Sequence, residues 1–207
     1  MKRDLSLVSD FIPSGSRVLD LGCSDGTLLA HLFENKGCRG SGVEIDPDAV
    51  LEAIRRGVPV VELDMDAELD AFGTDTYDVV VLSRTIQTLR RPEAVLRQMA
   101  RIGRKLIVSA PNFGWWGNRI TVIRGHMPIS KDLPYEWFNS PNIRFTTLVD
   151  LQKLFEACEL QVEQAIPLSP HGNPLRLRAK AANLLAGAAV YLLKPNPTGN
   201  LGHPSLG

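Results

Sequence analysis

Apolar positions along this chain fall into short blocks, each interrupted by at most one acidic residue, separated by stretches of helical period. Blocks centred on Val18 to Leu21, Val43 to Ile45, Val60 to Leu63, Val79 to Leu82 and Leu106 to Val108 run without strict alternation. Such runs are what strands covered on both faces require. They predict five strands over 17–21, 41–45, 59–63, 77–82 and 105–110. Between them the helical period recurs. Leu5, Val8 and Ile12 mark a first helix, and Leu28, Leu29, Leu32 and Phe33 a second that Gly37 ends. Asp46-Pro47 is a cap followed by proline at the first helical position, so a third helix runs from there to about residue 56. Pro92 opens a fourth, with Val95, Leu96, Met99 and Ile102 on one face. Strands alternating with helices through right-handed crossovers build an α/β fold, a doubly wound and mostly parallel sheet.

The rhythm then breaks. Residues 111–146 hold Phe113, Trp115, Trp116, Tyr135, Trp137, Phe138 and Phe145, with no clear period. A segment this long without its own pattern is usually a binding loop or lid, and aromatics serve pockets and small cores alike. Thr147 caps a helix to residue 158, a sixth strand follows over 161–166, and residues 175–186 read as a short basic helix. Residues 188–193 suit an antiparallel seventh strand. One domain over 1–193 is expected, with 111–146 as an insertion after strand five and 194–207 as a disordered tail.

The chemistry concentrates where the first strand ends. Asp20-Leu21-Gly22-Cys23-Ser24-Asp25-Gly26 breaks an apolar run into a glycine-flanked turn that feeds a helix, and Glu44 ends the second strand. Gly22 and Gly26 permit a tight turn and close approach of a ligand to the backbone. A carboxylate at position 44 can accept from both hydroxyls of a ribose. The dinucleotide fingerprint is G-x-G-x-x-G, whereas here the glycines are spaced G-x-x-x-G with Asp20 ahead and Asp25 inside. Two carboxylates would repel a pyrophosphate but suit an ammonium and a sulfonium, which points to S-adenosylmethionine over NAD. Gly22-Cys23-Ser24-Asp25-Gly26 also reads as the G-x-S-x-G nucleophile elbow of α/β-hydrolases. Too little chain precedes Ser24 to supply the elbow's oxyanion hole, so Ser24 reads as a turn residue.

Asp20-x-Gly22-x-Ser24-x-Gly26 resembles the class I methyltransferase motif, with serine at the middle glycine. Together with Gly42-Val43-Glu44-Ile45-Asp46-Pro47, Ser109-Ala110-Pro111-Asn112-Phe113-Gly114, Leu133-Pro134-Tyr135-Glu136-Trp137-Phe138 and Ser140-Pro141-Asn142-Ile143, it resembles the methionine-biosynthesis MetW family, through about residue 166. The resemblance implies a Rossmann-like, seven-stranded methyltransferase fold and S-adenosylmethionine as cofactor. It implies Asp20, Gly22, Ser24, Gly26, Glu44, Ile45, Asp64, Met65 and Ser83 as cofactor contacts, with Asp64 accepting from the adenine amine and Met65 against the ring. Residues 83–87 correspond to the loop bordering donor and acceptor. The family also implies a role beside homoserine O-acyltransferase, as partner or regulatory subunit. The alternative is an active methyltransferase on an unidentified small molecule. No catalytic residue is assigned; Gln87 and Tyr135 are conceivable orienting groups.

Composition narrows the rest. Lysine plus arginine equals aspartate plus glutamate at 23 each, so no net field favours nucleic acid. Cys23, Cys38 and Cys158 are odd in number and lack C-x-x-C spacing, which suits a reduced chain without a disulfide framework or structural zinc. No secretory leader or spanning segment is expected, and a cytoplasmic location follows.

Overall fold

A computed structural model of the chain describes residues 3–130 and 134–196. Its centre is a seven-stranded sheet in the order β3-β2-β1-β4-β5-β7-β6. The strands are β1 (Arg17–Leu21), β2 (Arg39–Glu44), β3 (Val60–Glu62), β4 (Tyr77–Ser83), β5 (Gly103–Pro111), β6 (Leu160–Leu168) and β7 (Ala188–Pro195). Pairing is parallel from β3 through β5, and β7 lies antiparallel between β5 and β6. This is the Rossmann-like topology expected from the alternating pattern.

Both faces of the central strands are covered, which is why β4 and β5 read as nearly continuous apolar runs, whereas the edge strands β3 and β6 are largely exposed. Leu19, Leu21, Val80, Leu82, Leu106 and Val108 join one core cluster; Val18, Val79, Val81 and Ile107 join the other. Successive residues therefore feed opposite cores. Helices α1 (Arg3–Phe11), α2 (Thr27–Lys36) and α3 (Pro47–Arg55) contribute to the second cluster, α4 (Pro92–Ile102) and α6 (Leu148–Ala157) to the first.

The local signals act as their chemistry requires. The Asp46 side chain accepts from Asp48 N at 3.0 Å and caps α3 ahead of Pro47. Gly37 ends α2 in the left-handed region at φ 60°. The Thr147 hydroxyl accepts from Asp150 N at 3.3 Å and starts α6.

Two expectations need correction. Residues 111–146 are not wholly irregular, because α5 (Trp116–Ile123) forms within them. Its only buried residue is Asn118, so no apolar stripe advertises it. The basic helix is also shorter than its pattern: α7 covers Ala179–Leu185, while Leu175 N and Gly187 N instead bond the carbonyls of Pro167 and Leu168. Of the expected tail, Lys194 and Pro195 complete β7, and residues 197–207 lie outside those described, as do Lys131 and Leu133.

Candidate functional site

The strand order reverses between β1 and β4, and a crevice of about 760 Å³ opens there at their carboxyl ends. Open α/β sheets hold ligands at such a reversal, and the volume falls within the range of small-molecule sites. Asp20, Gly22, Cys23, Ser24, Asp25 and Thr27 line one wall; Ser83, Arg84 and Thr85 line the other, with Leu5 and Tyr135.

The turn is built for close approach. Gly22 has φ 74°, and a β-carbon there would stand 2.6 Å from Thr85 Oγ1. Only glycine fits. Gly22 N and Cys23 N both donate to Val43 O, at 2.8 and 3.1 Å, fastening the turn to β2. Ser24 adopts φ 49°, the strained left-handed region that the glycine usual at this motif position enters freely. Gly26, at φ 71°, lets α2 begin against Ala53 and Val58.

Asp20 is 3% exposed, and its Oδ1 has no hydrogen-bond partner. Burial, with the Glu44 charge second, raises its pKa to about 7. A buried acceptor left open on a crevice wall is the feature a ligand cation or donor would satisfy. Glu44 stands at the same rim. Its Oε2 accepts from Ser24 N at 2.8 Å, and its Oε1 from Ile45 N at 2.9 Å and Asp46 N at 3.2 Å. A carboxylate offers about four acceptor sites, so capacity remains on Oε2.

The other expected residues divide. Ser83 lies on the opposite wall, its hydroxyl 3.0 Å from that of Ser109. Ile45 is 58% exposed beside Glu44. Asp64 is already engaged, paired with Arg90 at 2.5 Å and accepting from Asp66 N at 2.9 Å. Met65 is buried in the core with Leu63 and Leu69, and borders a separate small cavity.

Asp25 departs from its expected role as a second open carboxylate. Arg56 pairs with it at 2.8 Å, leaving Asp20 and Glu44 as the acidic groups that set the local field. Cys23 is no nucleophile. Burial, then the charges of Asp20 and Glu44, push its thiol up to about 12, and it packs so closely on Gly42 that a β-carbon there would lie 2.3 Å from its sulfur. Among the described residues the Ser24 hydroxyl has no histidine hydrogen-bond partner, which the hydrolase reading would need.

Sequence reasoning missed two features. Arg84 holds φ 56° while its N–H donates to Ser109 O and Oγ, each at 3.0 Å. No sequence signal places an arginine in the left-handed region. Thr85 was read only as loop, yet its contact is what makes Gly22 obligatory. Among the described residues no His/Cys/Asp/Glu group could hold a metal ion, and no helix is long and apolar enough to cross a membrane.

The residues present fit S-adenosylmethionine on these observations: an open buried carboxylate that could take an ammonium, a glycine that leaves the crevice wall without a side chain, and a strand-end glutamate that could take a ribose. Comparisons with known proteins agree on the frame. A SAM-dependent methyltransferase from Thermotoga maritima superposes with a TM-score of 0.68 at 18% identity, covering 93% of this chain and 87% of that one. The [4+2]-cyclase SpnF superposes equally, at 0.68 and 15% identity, over 94% and 81% of the two chains. At such identities the likeness concerns the fold.

Sequence relatives say more. A "Bifunctional methionine biosynthesis protein MetXA/MetW" from Rhodopirellula baltica is 32% identical over 173 residues, 79% of this chain. A "Ubiquinone biosynthesis O-methyltransferase" from Aeromonas salmonicida is 32% identical over 47% of the chain. The chain spans only 28% and 44% of these relatives' own lengths. The profile described as "Methionine biosynthesis protein MetW" matches residues 2–193, nearly every residue that the sheet and its covering helices occupy. The chain belongs to the MetW family, a methyltransferase-like branch tied to methionine biosynthesis.

Proposed function

We propose that the crevice binds S-adenosylmethionine and that the chain serves methionine biosynthesis as partner or regulatory subunit of a homoserine O-acyltransferase. The buried, unpartnered oxygen of Asp20 carries the first half of this reading. The bifunctional relative, which joins MetXA and MetW in one protein, supports the second. Asp20 would hold the ligand's ammonium, Glu44 its ribose hydroxyls, and Gly22 the space between them. Bound there, S-adenosylmethionine supplies a methyl group on a sulfonium leaving group. The protein's share of such a transfer is orientation and exclusion of water, which needs no fixed catalytic constellation.

Active methylation of an unidentified small molecule is the second reading. Its support is the breadth of the crevice, where Ser83, Arg84, Thr85 and Tyr135 leave a wall beyond the cofactor turn. The cyclase neighbour is a reminder that the fold does not fix the reaction.

Calorimetric titration tests the site. S-adenosylmethionine and its demethylated product should bind, and Glu44→Ala should weaken binding by about 1.5–3 kcal/mol, the range for hydrogen bonds to a charged group. Because Glu44 also receives three backbone N–H groups, Glu44→Gln and an unfolding curve should accompany it. Tighter binding of NAD than of S-adenosylmethionine would overturn the cofactor assignment.

A further inference from the structure

Beside the mouth of the crevice lies an apolar face. Trp137 is 72% exposed and Phe138 69%, their rings edge to face at 5.7 Å. Trp137 converges with Met127, Tyr135 and Phe145 on one notch, with Ser140 and buried Asn142 beside them. The face is built rather than loose. Ile143 N and Arg144 N both donate to Gln87 O at 3.0 Å, and Phe145 packs on Phe113 at 4.9 Å. Large contiguous apolar patches on a chain mark contact surfaces, and tryptophan dominates the binding energy of such contacts.

The bifunctional relative selects among occupants, because in it a MetXA part and a MetW part share one protein. An apolar face of this kind then suits a different chain with an apolar centre. Tyr135 adds a connection, because it lines both the notch and the cofactor crevice. A partner seated on the notch would therefore touch a wall of the ligand site.

We propose that the face around Met127, Tyr135, Trp137 and Phe145 is the docking surface for the homoserine O-acyltransferase, and that Tyr135 ties docking to occupation of the crevice. This rests on the partner reading above. Because Tyr135 lines both sites, ordering it for one occupant spares that cost to the other, so the coupling is positive. By linkage, each tightens the other by the same factor, roughly fivefold or more.

The test titrates purified chain with purified acyltransferase, with and without S-adenosylmethionine. Wild type should bind, and bind roughly fivefold or more tightly with the ligand present. Trp137→Ser with Phe138→Ser should weaken docking by roughly tenfold or more while calorimetry and thermal unfolding show cofactor affinity and folding retained. Ile54→Ser, on the exposed side of α3, should leave docking unchanged. Tyr135→Ala should remove the ligand's effect on docking. If the double variant docks like wild type, this surface is wrong and the partner reading survives. If wild type fails to bind the acyltransferase in either state, both fall. A wild-type homodimer dissolved by the double variant would assign the face to a second copy and overturn the proposal. Equal docking with and without ligand would overturn the tie through Tyr135.

Discussion

Asp20 makes the crevice sensitive to pH, and the sign can be worked out. Its folded pKa of about 7 lies above the ordinary 3.8 because burial and Glu44 disfavour the charged form. Between these values the folded chain keeps a proton that the unfolded chain releases, so Asp20 favours folding fully below pH 4 and loses that contribution as pH rises through 7. One proton is worth at most about 1.4 kcal/mol per pH unit, which from pH 5 to 7 amounts to about 2–3 kcal/mol. Urea unfolding without ligand should show this decline in wild type and a flatter profile in Asp20→Asn. A ligand ammonium reverses the preference, so affinity for S-adenosylmethionine should rise from pH 6 to 8 and lose that dependence in Asp20→Asn. Ser24 allows a smaller test. Ser24→Gly relieves a left-handed φ of 49° worth about 1–2 kcal/mol, offset in part by glycine's greater unfolded entropy. Stability should be unchanged or slightly higher, and cofactor affinity unchanged; a large loss of affinity would give the hydroxyl a direct role. Asp20 and Glu44 were legible as a pair because strand-end carboxylates flank the glycine turn. The pairing of Asp25 with Arg56 was not, since the arginine comes from the following βα unit and nothing local announces it.

At the scale of elements, legibility followed burial. Helices α2, α4 and α6 carry apolar stripes because they cover the sheet, and the Gly37 stop of α2, Pro92 at the start of α4 and the Thr147 cap of α6 lie in plain sequence. Helix α5 has Asn118 as its one buried residue, and Ile120, Val122 and Ile123 are exposed. With β-branched residues and no inward stripe, neither period nor propensity marks it. What holds this region is polar and long-range. Asn112 is 1% exposed; its Nδ2 donates to Asn183 O at 3.0 Å and Ala186 O at 2.7 Å, and its Oδ1 accepts from Gly114 N at 2.9 Å. One side chain thus ties the end of β5 to the start of the aromatic segment and to α7. Asn112→Ala would leave those backbone groups unsatisfied in the interior and should cost about 2–4 kcal/mol, read from urea midpoints at unchanged slope. Because the same change loosens the segment bearing Tyr135, it should also weaken cofactor binding. Loss of stability alone would confine Asn112 to a structural role.

Across the whole molecule, the strand order β3-β2-β1-β4-β5-β7-β6 follows from chain rules that sequence exposes: alternation, right-handed crossovers, and one late strand returning antiparallel. That order sets the crevice at the β1–β4 reversal, so the fold and the place of the crevice were legible together. The parts that stayed hidden are contacts between segments far apart in sequence, such as Arg90 on Asp64 and Thr85 on Gly22. Arg90 on Asp64 bears on ligand choice, because an adenine reaching that position must share or displace the pair. The linked equilibrium gives a global readout. A ligand that binds only the folded chain at about 100 times its Kd stabilises it by about 2.7 kcal/mol. For a domain of this length each kcal/mol moves Tm by roughly 2–4 °C. S-adenosylmethionine at that excess should therefore raise the unfolding midpoint by roughly 5–11 °C, and NAD at the same concentration should leave it in place. Arg90→Ala separates two accounts of Asp64. If the freed carboxylate receives the adenine amine more readily, the shift produced by S-adenosylmethionine should grow relative to wild type. If it does not, Asp64 serves the Arg90 pair alone, and the nucleoside is held from Glu44 and the Asp20–Gly26 turn.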